Sequence, residues 1–198
     1  MPVPDARILD FAGPQAWAAW LAENHAKAAG AWLRLAKKSS PAKSVTYAEA
    51  LEEALCHGWI DGQKKPESGA AWLQKFVPRS DRSIWSKINR EKAEALIAEN
   101  RMKPAGMRAI ERAKENGQWD SAYDSPSRAT VPDDLAAALD RNPRAKAFFA
   151  TLDGANRYAV LWRVQTARKP ETRARRIEQS VDMLARGETI HPQKSTPS

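Results

Sequence analysis

Strand-like segments in this chain end at Pro78, and the chain from Pro132 to Gly187 reads as helix. Ala31 to Ala36, AWLRLA, alternates apolar and polar residues and reads as a strand. Ile8 to Phe11, Trp59–Ile60 and Ala71 to Val77 (AWLQKFV) add short extended pieces. The last two are expected to form a hairpin-like pair, with turn signals at Asp61-Gly62 and at Pro66-Glu67-Ser68-Gly69. The predicted fold class is therefore α+β. An N-terminal mixed domain with a small antiparallel sheet and several helices (residues 1–120) precedes a linker (121–130) and a small all-helical module (131–190). Residues 191–198 read as a disordered tail.

Helix boundaries are written in proline, glycine and capping residues. Gly13-Pro14 starts a helix that carries Trp17, Trp20 and Leu21 on one face. Thr46 and Glu49 form a capping box at the head of TYAEALEEALCHG, which Gly58 ends. Ser83 or Ser86 caps a helix running through Ala98, and Lys103 to Asn116 forms the next, ended by Gly117. In the C-terminal part, Pro132, Pro143 and Pro170 each start a helix, and Asn156 to Ala167 forms another.

No apolar run approaches the ~18 residues that span a bilayer, and Met1 to Asp10 lacks a signal-peptide pattern, so a cytoplasmic location is expected. A single cysteine, Cys56, excludes an intrachain disulfide and reads as a buried thiol. The three histidines show no metal-ligand spacing, and no phosphate-binding glycine loop or nucleophile elbow is present. No cofactor and no metal are expected. The net charge of +8 is concentrated in two segments: residues 63–92 carry a local excess of five positive charges and residues 157–176 an excess of six. Such a balance favours anionic partners.

Three short motifs follow one another from the end of the Thr46 helix into the helix after Pro78: Cys56-His57-Gly58-Trp59-Ile60-Asp61-Gly62, Phe76-Val77-Pro78-Arg79 and Trp85-Ser86-Lys87-Ile88-Asn89. In this order they resemble the C-x-G-W-I-D-G, F-x-P-R and W-S-x-x-N signatures of the bacterial YdeI/OmpD-associated family, described as bacteriocin-protection or antimicrobial-peptide-resistance proteins. The stretch from Val131 to Gly187, with Asn156-Arg157-Tyr158 and the basic run from Lys169 to Ile177, resembles the family's small helical module. The resemblance implies a role in bacteriocin or stress resistance and leaves the mechanism open.

Chemically, Trp59 and Trp85 could offer stacking faces. Lys64, Arg79 and Lys87 could supply positive charge, Asp61 could orient a cation, and Asn89 could add a directional hydrogen bond. Arg157, Arg168, Lys169, Arg173 and Arg176 form a second candidate anion-binding set. Each residue also has a structural reading: core for Trp59, turn former for Asp61, cation–π brace for Arg79 and Lys87, and solvated helix face for the C-terminal basic run. The leading expectation is a non-catalytic protein that binds an anionic small molecule or partner at the Trp/Arg/Lys surface. One rival is a nucleic-acid-binding protein using both basic segments, although no nucleic-acid motif is present. The other is an enzyme of unfamiliar type, which requires Asp61, Arg79 and Lys87 to converge.

Overall fold

The computed structural model describes residues 7–67 and 69–193. Most of the expected signal-free N-terminus, Ser68 of the expected Pro66–Gly69 turn, and residues 194–198 of the expected tail lie outside the described residues. In chain order the elements are β1 (Ile8–Leu9), α1 (Pro14–Asn24), β2 (Ala31–Ala36), α2 (Tyr47–Cys56), β3 (Trp59–Pro66), β4 (Ala71–Pro78), α3 (Lys87–Ala98), α4 (Pro104–Glu115), α5 (Asp133–Asp140), α6 (Pro143–Ala150), α7 (Gly154–Gln165) and α8 (Pro170–Ala185). They separate into two compact units, one comprising the chain through Trp85 together with Asn89–Asp120, the other Ser86–Ile88 and the chain from Ser121 onward. The α+β expectation holds.

In the first unit the sheet order is β1-β2-β4-β3. Its β2–β4 and β3–β4 pairings are antiparallel, but β1 pairs parallel to β2, so the sheet is mixed where an antiparallel one was expected. The alternation of β2 puts Ala31, Leu33 and Leu35 on the same side as Phe76, and that side faces α1, whose Trp17 ring lies 5.7 Å from Phe76. Trp17 and Leu21 are fully buried, and the Trp17 indole donates to the Ala50 carbonyl of α2 at 3.0 Å. The capping box of α2 is present as read: Thr46 accepts from the Glu49 amide, and the Glu49 carboxylate accepts from the Thr46 amide. Those hydrogen bonds hold the Glu49 carboxyl below its ordinary range.

Two glycines set the packing of α2 on α4. Gly58 has φ +74°, and a Cβ there would meet the Ala105 carbonyl at 2.7 Å. Gly106, inside α4, lies so close to the Cys56 carbonyl and the Met102 sulfur that a methyl group has no room. A proline at the start of α4 and a glycine two residues later thus let the α4 backbone reach the C-terminus of α2.

The second unit is a bundle of α5 to α8 around Leu135, Leu139, Phe149, Val160, Leu161, Val164 and Leu184. Helix starts follow the sequence signals. Pro143 follows the Asn142 cap, which accepts from the Ala145 amide. The cap of α7 is Asp153, which accepts from the Asn156 amide at 2.8 Å, so this helix starts two residues before Asn156, where the sequence suggested.

Candidate functional site

The motif residues between Trp59 and Asn89 are held in several separate environments. Trp59 is 1% exposed. Its indole N–H donates to the His25 carbonyl, and its ring packs edge-on against Trp17 and Trp20. Its ring is packed in the core and presents no exposed face.

Asp61-Gly62 does not turn the chain. β3 continues through it to Pro66, and the pairing register with β4 shifts between Asp61 and Lys64. The glycine marks a bulge. The amide of Gln74, a buried polar side chain of β4, donates to the Gly62, Gln63 and Lys75 carbonyls at 3.0 to 3.3 Å, satisfying groups at the irregular ladder. Asp61 accepts from the Tyr47 hydroxyl at 2.9 Å. Lys64 is exposed.

Arg79 and Trp85 are brought together. The guanidinium lies 3.5 Å from the centroid of the Trp85 ring and donates to the Ile84 carbonyl, while the Arg79 amide donates to the Gly58 carbonyl. Trp85 in turn meets Trp119 edge-on at 4.8 Å. Arg79 is 7% and Trp85 3% exposed. The F-x-P-R and W-S-x-x-N motifs therefore join through a cation–π contact between two buried side chains of the first unit.

Lys87 makes an ion pair with Asp124 at 2.8 Å, and its amide donates to the Tyr123 carbonyl. Asn89 is half-buried near the start of α3. Asp61, Arg79 and Lys87 thus engage Tyr47, Trp85 and Asp124 respectively.

The C-terminal basic run is similarly divided. Arg173 forms a bidentate pair with Asp134 at 2.6 and 2.9 Å and also donates to the Val164 carbonyl. Arg176 donates to the Arg163 carbonyl and to the Thr166 hydroxyl. Arg157 stacks on Phe149 at 4.6 Å. These contacts tie α8 to α5 and α7, and α7 to α6. Arg168 and Lys169 are exposed at the α7–α8 junction.

A cleft that the sequence reading missed lies in the second unit. Tyr158 and Trp162 stand one turn apart on α7, with Ala155 and Ala159 beside them. With Tyr123, Arg163, Ile190 and His191 they line an open cavity of about 550 Å³. The alanines leave the hollow and the aromatic rings wall it. Trp162 is 37% exposed, unusual for its ring size, and meets Tyr123 edge-on at 6.3 Å. Among the described residues the lining holds two basic side chains and no carboxylate.

Two residues of the Asn156-Arg157-Tyr158 motif shape the cleft, Tyr158 by lining it and Asn156 by holding His191. Asn156, 1% exposed, donates to the His191 carbonyl and accepts from the His191 amide at 2.9 Å. Gln193 adds a bond to the Thr151 carbonyl. Residues 191 and 193, read as tail, are therefore hydrogen-bonded to the module. The Tyr158 hydroxyl donates to the Asp124 carbonyl at 2.9 Å, anchoring the segment that carries Tyr123. Burial pushes the Tyr158 phenol up to about 12, so it stays a neutral donor. The available sequence signal was the Tyr158/Trp162 pair flanked by alanines on one helix face.

Cys56 is buried, and desolvation raises its thiol to about 11. Among the described residues no cluster of three or more His, Cys, Asp or Glu is placed to hold a metal ion, and no helix is long and apolar enough to cross a membrane.

Residues 9–109 match a family model described as a domain of unknown function (DUF8412). Residues 128–187 match a family model described as Bacteriocin-protection, YdeI or OmpD-Associated. The three short motifs fall within the first match and the aromatic helix α7 within the second. Neither the curated proteins nor the solved structures give a match.

Proposed function

We propose, for a chain that belongs to the DUF8412 family and carries a C-terminal bacteriocin-protection, YdeI- or OmpD-associated domain, a binding role in bacteriocin or antimicrobial-peptide resistance. Its ligand is a planar, anionic small molecule, or a ring-bearing anionic group of a partner, held in the α7 cleft. The protective role rests on the family description. The binding role rests on one observation: an exposed Trp162 ring lines the same cleft as Arg163 and His191, and among the described residues no carboxylate lines it.

The chemistry follows from those groups. A planar ring stacked on an aromatic side chain gains about 1–3 kcal/mol, and a guanidinium at the rim can take a carboxylate or phosphate bidentately. Tyr123 and Tyr158 close the sides, and their segments are already anchored by hydrogen bonds, so little ordering is left for the ligand to impose. The test is a thermal-shift and calorimetric screen of the full chain against nucleoside monophosphates and aromatic carboxylates. A ligand that binds the native state raises the melting temperature. Stabilisation by these compounds that is absent in Trp162→Ala supports the reading. No stabilisation by any planar anion, or equal stabilisation of the variant, refutes it.

A further inference from the structure

His25 and His57, which the preceding account leaves without a role, stand at equivalent places in the first unit. Each is the C-terminal cap of its helix, His25 of α1 and His57 of α2. In each, Nδ1 lies 2.9 Å from the carbonyl four residues back, Leu21 and Glu53 respectively. A carbonyl only accepts, so both Nδ1 atoms carry the proton, and each neutral ring keeps its lone pair on Nε2. A backbone carbonyl holding one imidazole nitrogen is the usual support of a metal-binding histidine.

The two ring centroids are 5.7 Å apart. An ion at about 2.0–2.1 Å from one nitrogen of each of two imidazoles separates their centroids by roughly 5–6 Å at a bond angle near tetrahedral. Two helix C-termini end here, and their terminal carbonyl dipoles favour a cation. His57 is 5% exposed and His25 is half-buried, which gives the pair a dry side and a side open to solvent.

We propose that His25 and His57 form a two-histidine site for a borderline transition-metal ion, with water completing the coordination. Imidazole suits Cu²⁺, Ni²⁺ and Zn²⁺, and the order of affinity should place Cu²⁺ above Ni²⁺. The test titrates tag-free full-length protein with Cu²⁺ and Ni²⁺ by calorimetry, with electron paramagnetic resonance of the Cu²⁺ form. One ion per chain is expected, with two imidazole nitrogens coupled to the copper. The half-buried His25→Ala weakens binding at least about tenfold, equivalent to ~1.4 kcal/mol, and His191→Ala leaves it unchanged. His57→Gln repeats the loss, with folding checked by circular dichroism; if that variant unfolds, His25→Ala alone decides. Unaltered affinity in His25→Ala, copper without imidazole coupling, or no saturation at millimolar ion overturns the site.

Discussion

The guanidinium of Arg79 lies over the ring of Trp85, 3.5 Å from its centroid, and the same indole meets Trp119 edge-on. The cation read as an anion trap is thus occupied by its own chain. Both residues are buried, so the pair acts in folding. Trp85→Ala is expected to cost about 3–5 kcal/mol. A double-mutant cycle with Arg79→Ala should give a coupling on the order of 2 kcal/mol, the size of a desolvated cation–π contact. Arg79→Lys keeps the charge but loses the planar stack, so it should recover only part of that coupling. Urea unfolding followed by circular dichroism reads all three, and a coupling near zero contradicts the brace.

Gly106 carries the contact between α4 and α2. A methyl group there meets the Cys56 and Leu55 carbonyls, which are backbone and cannot rotate away. Gly106→Ala should destabilise the protein by about 1–3 kcal/mol, although alanine is the better helix former. Gly154→Ala, where nothing lies within contact distance of the added group, is the control and should change stability little. Equal unfolding midpoints for the two variants would count against this packing.

The Asp134–Arg173 pair predicts an acid-side dependence. Its hydrogen bonds to Arg173 first hold the Asp134 carboxyl below its ordinary value. A lowered folded-state value means the contribution is complete above the unfolded-state range near pH 4 and is lost as pH falls through the folded value. Stability of wild type should therefore decline more steeply than that of Asp134→Asn below about pH 4. Parallel stability–pH curves would exclude the pair as the cause.

Cys56 should be silent in the native state. Its thiol is buried and raised to about 11, so little thiolate forms at pH 8 and reagent has no access. Ellman's reagent should label native protein at the rate of global or local opening, and denatured protein at once. Prompt labelling under native conditions would contradict the burial.

Local signals gave most of the fold. Proline and glycine punctuation located α1, α4, α6 and α8, the Thr46–Glu49 box located α2, and β2 matched its alternation residue for residue. Sequence reading failed where tertiary contacts decide. Asp61-Gly62 has the composition of a turn, but Gln74, twelve residues away from Gly62 in sequence, completes a bulge that carries the strand onward. The site was the least legible part. Charge density pointed to Arg79, Arg173 and Arg176, and each is consumed by a ring, a carboxylate or a carbonyl that sequence spacing does not reveal. The α7 cleft is assembled from Tyr123, residues of one helix face and His191, and only the middle set shares a period.

The most direct test of the binding role fills the cleft without touching the core. Ala159 is half-buried beside the hollow and Trp162 is exposed, so Ala159→Leu and Trp162→Ala should both leave the melting temperature close to that of wild type. Calorimetric titration with the planar anion that most stabilises wild type should then show saturable binding to wild type, and at least about tenfold weaker binding to each variant. Undiminished affinity in both variants would contradict the account.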